Sequence, residues 1–192
     1  MPTLILASTS IYRKALLDRF GLDFTTARPE VDETPHPGEA PATTAERLAL
    51  EKARAVAATY PDALIIGSDQ VAYRGEERFH KPGTVENAIA QLRNMSGQAI
   101  IFHTAVCLYN SRSGTHQLEG VPTEARFRPL SEAEIVRYVE RERPLDCAGS
   151  AKSEGLGISL LNYMRGDDPT ALIGLPLIAL ARMLRKEGVL VP

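Results

Sequence analysis

The sequence has no tryptophan, and only two of its 192 residues are cysteines. Cys107 and Cys147 lie far apart and form no Cys-X-X-Cys motif. This pattern argues against a disulfide framework and is typical of a protein from a reducing cytoplasm, where we expect this chain to act. Cys107 lies in an apolar run, so we predict that it is a small core residue.

Long apolar runs and a basic excess are also missing. The stretch most like a membrane span, residues 171–184, is interrupted by Gly174, Pro176 and Arg182. The first residues lack the basic start, apolar centre and cleavage site of a signal peptide, so we expect no targeting segment. The net charge is −2, whereas proteins that coat nucleic acids are usually strongly basic. We therefore expect neither a membrane nor a nucleic-acid partner.

The length and the order of the elements predict the fold class. A chain of 192 residues buries a full core, and we expect one domain over residues 1–192. Strand and helix patterns alternate, and one long hairpin joins residues 99–109 to 117–127. Capping pairs at Thr43 and Ser131 and an N-cap at Thr84 predict helix starts, and residues 158–163 have the pattern of a strand. Together these patterns predict an α/β fold with a mixed central sheet flanked by helices.

The first twenty residues predict a strand, a tight turn and a helix. Leu4–Ala7 form the apolar run, and Ser8 to Ser10 follow as hydroxyl acceptors for the free N–H groups of a helix start. Arg13 and Lys14 then place positive charge where the helix dipole is already positive. A bound anion would resolve this conflict, which makes the turn a candidate phosphate site. A capped helix with a solvated basic face explains the same residues equally well.

Two charged residues are out of place in apolar patterns. Lys52 falls on the apolar stripe of a helix, where it needs an anionic partner or must extend its ammonium group to solvent. Asp69 lies in the apolar strand candidate of residues 63–72 and must be paired, hydrogen-bonded or bound to a metal. Asp69 is therefore a candidate functional residue, although a structural aspartate that caps a loop remains the alternative. Lys81 precedes a helix start and is a second candidate phosphate contact.

Short motifs along nearly the whole chain resemble the Maf family of nucleotide pyrophosphatases. Each motif is weak by itself, and their order and spacing carry the resemblance. They are Ser8-Thr-Ser with Arg13, Glu33, Glu51-Lys-Ala, Gly67-Ser-Asp-Gln70, His80-Lys-Pro-Gly-Thr84, Met95-Ser-Gly-Gln98, Phe102-His-Thr-Ala105, Asp146-Cys-Ala-Gly-Ser150, Glu154-Gly-Leu-Gly-Ile158 and Gly174-Leu-Pro176. The family often has proline at position 11 and this subgroup usually has tryptophan at position 12, where this chain has Ile11 and Tyr12.

The resemblance implies a two-lobed fold with a cleft between the lobes and hydrolysis of a nucleoside triphosphate to its monophosphate and pyrophosphate. It implies phosphate contacts from Ser8, Arg13, Lys52 and Lys81. It also implies a divalent cation, Mg²⁺ or Mn²⁺, on Glu33 and Asp69, with Asp69 as the candidate catalytic base. Whether Asp69 is the base or a metal ligand stays open at this point. The family suggests a homodimer.

Three residues bear on the choice of base. Within the family, Ser-Asp-Gln at residues 68–70 and Glu154 resemble the subgroup that acts on 7-methyl-GTP. We therefore expect Tyr12, Gln70 and Glu154 to determine specificity. If they do not, Glu154 is a solvated loop carboxylate and Tyr12 packs in the core. The alternative functions are a dTTP/UTP pyrophosphatase and a nucleotide-binding regulator of cell division with little turnover.

One conflict concerns Asp69 and Gln70. In a regular strand, neighbouring side chains point to opposite faces, whereas the family resemblance places both at the ligand. We therefore expect a strand end or a β-bulge at these residues.

Overall fold

The computed structural model describes residues 3–192. Within them, a mixed seven-stranded sheet is flanked by five helices. The strands are β1 (Thr3–Ala7), β2 (Thr25–Ala27), β3 (Ala63–Arg74), β4 (Glu77–Phe79), β5 (Ala99–Asn110), β6 (His116–Phe127) and β7 (Leu161–Arg165). The helices are α1 (Ile11–Leu17), α2 (Pro41–Ala57), α3 (Val85–Met95), α4 (Glu132–Glu142) and α5 (Leu177–Lys186). The predicted α/β class is confirmed.

The sheet changes from parallel to antiparallel pairing at β3. The strand order is β2-β1-β3-β5-β6-β7, and β4 pairs with the last residues of β3. β1 is parallel to both β2 and β3, whereas β3, β5, β6 and β7 pair in antiparallel fashion. The predicted hairpin of β5 and β6 is present, with Ala99 opposite Arg126 and Tyr109 opposite His116.

Three apolar clusters form the core and explain the division into lobes. α2 packs on one face of the sheet, against alternate residues of β3 such as Ala63 and Ile65. On the opposite face, Leu64 and Ile66 pack with α1 and α5, whereas Ala72 packs with α3 and α4. Between these two clusters, the side chains that β3 presents on this face are polar, Ser68 and Gln70. The long strands therefore connect two separately packed halves.

Predicted helix starts are confirmed where the signal is local, with one exception. Thr84 accepts the backbone N–H of Asn87 at α3, and Ser131 forms the capping box of α4 with Glu134. The predicted cap at Thr43 is wrong, because α2 begins at Pro41, whose missing N–H and restricted φ suit a first helical position.

The predicted strand over residues 158–163 begins three residues later in the structure. Residues 156–160 form a 3₁₀ segment, and β7 then runs from Leu161 to Arg165. Gly157 lies so close to the backbone of Lys152 that a Cβ atom would be 2.4 Å from its carbonyl oxygen. This tight turn keeps residues 156–160 out of the sheet. Within residues 3–192, no helix has both the length and the apolar composition needed to cross a bilayer.

Candidate functional site

A cleft of about 1250 Å³ lies beyond the carboxyl end of β1, along the edge of β3. This is where open α/β sheets usually bind ligands. Nine residues singled out from the sequence line it. They are Ser8, Tyr12, Arg13, Glu33, Lys52, Asp69, Gln70, Lys81 and Glu154. The tertiary structure therefore brings together side chains from widely separated parts of the chain.

The expected strand end or bulge at Asp69 and Gln70 is wrong. β3 keeps one register with β5 from Leu64 to Tyr73, so the two side chains do point to opposite faces. Both line the cleft because the other edge of β3 is open at these residues. The pairing of β1 with β3 ends at Ile66, and β4 pairs with β3 only from Ala72 onward. A ligand beside this open edge has access to both faces of the strand.

Lys52 and Asp69 form a buried ion pair in the cleft. The Nζ atom of Lys52 lies 2.6 Å from Oδ1 of Asp69 and 2.7 Å from Oε1 of Glu33. Only 7% of the Lys52 side chain and 11% of the Asp69 side chain are exposed. Each charged group thus compensates the desolvation of the other, as their positions in apolar patterns required. Of the two alternatives left open for Lys52, an anionic partner or a solvent-exposed ammonium group, the structure shows the anionic partner.

A close approach of α2 to β3 makes this pair possible. Gly67 lies two residues before Asp69, and a Cβ atom there would come within 2.0 Å of the carbonyl oxygen of Ala49. Only a residue without a side chain permits this packing, because the obstacle is backbone. The approach brings the helix turn that carries Lys52 directly over the strand that carries Asp69.

Ser8 and Arg13 lie beside this pair. Ser8 is 5% exposed, and its hydroxyl accepts the backbone N–H of Ser10. The Nε of Arg13 donates to the carbonyl oxygen of Gly174 at 2.9 Å, which fixes the guanidinium group in the cleft. Burial lowers the pKa of Arg13, and the negative charges of Asp69 and Glu33 partly offset that effect. We name Ser8, Arg13, Glu33, Lys52, Asp69 and Lys81 the cationic cluster.

Glu33 and Lys81 complete the cationic cluster from exposed loops. Partial burial acts to raise the pKa of Glu33, but the hydrogen bond from Lys52 and the nearby charges of Lys81 and Arg13 lower it overall. Lys81 itself is exposed. The three cations predicted to meet, Arg13, Lys52 and Lys81, therefore do lie around one carboxylate.

Gln70 supports the far wall of the cleft. Its amide nitrogen donates to the carbonyl oxygens of Ala171 and Leu172 and to the hydroxyl of Thr104. Ser68 donates to the carbonyl oxygen of Gly174 in the same loop. The polar face of β3 thus holds residues 171–174 against the sheet, next to Arg13.

A second group of side chains surrounds Tyr12 at the start of α1. The Tyr12 hydroxyl donates to Oδ2 of Asp146 at 3.2 Å, and the Nζ of Lys152 lies 5.5 Å from the centre of the Tyr12 ring. Lys152 also lies 3.7 Å from Oδ1 of Asp146. Glu154 is exposed and lines the cleft near this group. We name Tyr12, Asp146, Lys152 and Glu154 the Tyr12 cluster; the sequence analysis did not single out Asp146 or Lys152 individually.

Arg47 is another residue that sequence reasoning missed. Its guanidinium group forms two hydrogen bonds with Glu39, at 2.7 and 2.9 Å, and donates to Glu51 and to the carbonyl oxygen of Thr34. The hydrogen bonds from Arg47 hold the pKa of Glu39 at about 2, against the effect of its burial. These contacts fix the loop immediately after Glu33. The only signal in the sequence was an acidic loop before a helix that contains an arginine.

The cleft carboxylates fit a divalent cation of the magnesium type. Among residues 3–192, no three His, Cys, Asp or Glu side chains are grouped as an all-protein metal site would require. Glu33 and Asp69 alone provide two carboxylates, both within 2.7 Å of the same ammonium nitrogen. Mg²⁺ is usually held in this way, by one or two carboxylates together with substrate phosphates and water.

Comparison with known proteins identifies the family of this chain. The sequence pattern of the family described as Maf-like protein matches residues 3–187. The chain belongs to the Maf family. It is 66% identical over 189 residues to the 7-methyl-GTP pyrophosphatase of Aromatoleum aromaticum, a match that covers 98% of this chain and 97% of that protein.

Further relatives in the Maf family carry the same name. The chain is 57% identical to the 7-methyl-GTP pyrophosphatase of Thiobacillus denitrificans, with 98% of this chain and 94% of that protein covered. It is also 57% identical to the protein of that name from Xanthomonas axonopodis pv. citri, with both chains covered completely. The predicted family is therefore confirmed.

Proposed function

We propose that this protein hydrolyses 7-methyl-GTP to 7-methyl-GMP and pyrophosphate and so removes a modified nucleotide from the pool. The observation that carries the proposal is the buried Lys52–Asp69 pair at the open edge of β3, in a cleft large enough for a nucleotide. The names of relatives that match nearly the whole chain support the same substrate.

The cationic cluster binds the triphosphate. Arg13, Lys52 and Lys81 supply positive charge, and Ser8 supplies a hydroxyl, from four separate parts of the fold. Negative charge increases on the leaving pyrophosphate as the phosphoanhydride bond breaks. Fixed cations around that group therefore stabilise the transition state more than the ground state.

Asp69 is the general base of the proposed reaction. Its Oδ1 atom accepts a hydrogen bond from Lys52, which orients the carboxylate. The other carboxylate oxygen accepts a proton from the water that attacks the α-phosphorus. The new P–O bond forms as the bond to the β-phosphate oxygen breaks, and pyrophosphate leaves. A base of this kind contributes roughly 10²- to 10⁴-fold to the rate.

Glu33 and Asp69 would hold the divalent cation, Mg²⁺ or Mn²⁺. When bound, such a cation neutralises phosphate charge and orients the phosphate oxygens. Lys52 already lies between the two carboxylates, and these three groups together carry a net negative charge that favours a cation. Arg47 keeps the loop after Glu33 in place through Glu39 and Thr34.

The Tyr12 cluster binds the base. Methylation at N7 gives guanine a positive charge, and a cationic ring favours the face of an aromatic side chain. The carboxylate of Glu154 accepts hydrogen bonds from N1–H and the N2 amino group of guanine, whereas the carbonyl oxygens of uracil would repel it. Gln70 contributes indirectly, because its amide holds the wall formed by residues 171–172.

We also infer that the protein acts in the cytoplasm, as a homodimer. Both cysteines are unpaired, and burial raises the pKa of Cys107 to about 12, so this thiol is unreactive. A reducing compartment suits such a chain. The homodimer follows from the family resemblance, and sedimentation analysis of the purified protein tests it.

A nucleotide panel with pyrophosphate detection tests the proposed function. We expect the largest kcat/KM for 7-methyl-GTP, with smaller values for GTP, UTP and dTTP, and dependence on added Mg²⁺ or Mn²⁺. Preference for UTP or dTTP would assign the protein to the pyrimidine subgroup. Tight nucleotide binding without pyrophosphate release would instead support a regulatory role.

A further inference from the structure

We infer that Asp146 and Lys152 determine how strongly the cleft prefers a positively charged base over a neutral one. This inference rests on the proposed activity on 7-methyl-GTP. Asp146 attracts the charge of the methylated base, and Lys152 opposes it. The discrimination between 7-methyl-GTP and GTP then depends on a pair of opposite charges beside the aromatic ring, as well as on the ring itself.

Asp146 is positioned to attract a cationic base beside Tyr12. Its carboxylate accepts the hydroxyl of Tyr12 at 3.2 Å and lines the cleft, with 59% of the side chain exposed. Partial burial acts to raise the pKa of Asp146, but hydrogen bonds and the charge of Lys152 lower it overall. Asp146 is therefore ionised at neutral pH, and a cationic base beside Tyr12 lies within its field.

Lys152 is positioned to oppose a cationic base beside Tyr12. Its Nζ lies 5.5 Å from the centre of the Tyr12 ring and 3.7 Å from Oδ1 of Asp146, and only 14% of its side chain is exposed. Tyr12 and Asp146 line the cleft formed by residues 3–192, whereas Lys152 does not line it. The ammonium group thus already interacts with the π-electrons of Tyr12 and partly neutralises Asp146. Both effects weaken the attraction of the site for a second cation.

The remaining charge in this group is negative. Burial raises the pKa of the Cys147 thiol to about 12, and Asp146 and Glu154 both contribute to that increase. Cys147 is therefore neutral, and the two carboxylates lie close enough to act on the same group. Asp146, Glu154 and Lys152 together carry one net negative charge around Tyr12. That balance favours a monocationic base over a neutral one.

The test separates charge from shape with three substrates. These are 7-methyl-GTP, GTP and 7-methyl-7-deaza-GTP, which has the methyl group but no positive charge. In Asp146→Asn we expect kcat/KM for 7-methyl-GTP to fall about three- to thirtyfold relative to both neutral nucleotides, as the loss of one charge at partly screened distance implies. In Lys152→Met we expect the same ratio to rise about two- to tenfold. Asp167→Asn, an exposed aspartate outside the cleft, is the matched control and should keep the wild-type ratio.

Opposite shifts in the two variants support the inference, and melting temperatures establish that both are folded. Equal losses on all three substrates would show that Asp146 only positions Tyr12, and this overturns the inference. An unchanged ratio of kcat/KM for 7-methyl-GTP to that for the neutral nucleotides in Asp146→Asn also overturns the inference. In that case the proposed function still stands if the wild-type protein prefers 7-methyl-GTP over GTP. If the wild-type protein does not prefer 7-methyl-GTP, both proposals fail.

Discussion

The cationic cluster and the Tyr12 cluster lie in one cleft but hold their charges in different ways. In the cationic cluster, the side chains of Lys52 and Asp69 are 7% and 11% exposed, and the Nζ of Lys52 lies 2.6 Å from Oδ1 of Asp69. In the Tyr12 cluster, the distance from Lys152 to Asp146 is 3.7 Å, and 59% of the Asp146 side chain is exposed. Buried and tightly paired charges are costly to disturb, whereas exposed ones are screened by solvent.

This difference matches the two tasks proposed for the cleft. Phosphate contacts and the catalytic base are needed for every substrate and must keep one geometry, which suits buried groups on α2 and β3. Base selection requires only a difference in affinity between similar rings. Contacts worth about 0.5–2 kcal/mol at partly exposed sites suffice for that. Substitutions in the cationic cluster should therefore change all activities, and substitutions in the Tyr12 cluster should change ratios.

The largest expected effect is that of Asp69→Asn. The substitution removes the proposed base and one metal ligand but keeps the size of the side chain, so turnover should fall roughly 10²- to 10⁴-fold on every nucleotide. Steady-state kinetics and a thermal melt measure activity and folding. Near-wild-type turnover in a folded variant would exclude the catalytic role. Asp62→Asn, at an exposed ion pair far from the cleft, is the control.

Gly67→Ala tests whether the packing of α2 on β3 positions the cationic cluster. The added Cβ would lie 2.0 Å from a backbone oxygen, so α2 must shift and Lys52 with it. We expect a melting temperature lower by several degrees and at least a tenfold loss of activity on all nucleotides, since small displacements of catalytic groups are costly. Wild-type stability and kinetics would show that α2 accommodates the added methyl group without moving Lys52.

Lys81→Ala tests the exposed part of the cationic cluster. Because Lys81 contacts phosphate and no base atom in the proposed complex, kcat/KM should fall by a similar factor, about tenfold, for 7-methyl-GTP, GTP and UTP. The same assay on Lys186→Ala, at the end of α5 and away from the cleft, provides the baseline. A loss confined to one base would contradict the assignment to phosphate binding.

Glu154→Gln tests the carboxylate that distinguishes guanine from pyrimidines. A glutamine amide can both donate and accept, so it loses selectivity for the donor edge of guanine and tolerates a pyrimidine carbonyl. The ratio of kcat/KM for 7-methyl-GTP to that for UTP should fall about tenfold. A variant that keeps the wild-type ratio would make Glu154 the solvated loop carboxylate of the alternative interpretation.

Among these substitutions Tyr12→Ala has the lowest expected minimum effect, because a cation–π contact of about 0.5–2 kcal/mol corresponds to roughly two- to thirtyfold in affinity. The gap between 7-methyl-GTP and GTP should narrow by a factor in this range. Tyr12→Phe keeps the ring and removes the hydrogen bond to Asp146, so it should narrow the gap less. Equal losses of discrimination between 7-methyl-GTP and GTP in the two variants would show that the hydroxyl group, and not the ring, is responsible.

Local signals in the sequence predicted local structure well. The strand–turn–helix of residues 4–17, the N-cap at Thr84 and the capping box at Ser131 each depend on groups a few residues apart. The two failures have different physical causes. The capping pair at Thr43 does not begin the helix because Pro41 prefers the first helical position. The expected bulge at Asp69 was unnecessary because β1 is short and leaves the edge of β3 open there.

Partners distant in the sequence could not be found in this way. The contact between Tyr12 and Asp146 joins residues 134 positions apart, and Asp146 looked like one more polar residue in a loop of small residues. Arg47 and Glu39 belong to neighbouring elements, but their pairing depends on how the loop after Glu33 folds back along α2. No pattern of hydrophobic spacing carries such information.

The sequence alone determined which charged residues occupy apolar surroundings. Lys52 on an apolar stripe needed an anionic partner or a route to solvent, and Asp69 in an apolar strand needed an ion pair, hydrogen bonds or a metal, because an isolated buried charge is too costly. Only the tertiary structure decided that they satisfy each other. That outcome depends on the backbone contact of α2 with Gly67 and on the strand edge left open between β1 and β4. The cost of burying a charge follows from its own position, whereas its partner follows from packing between distant segments.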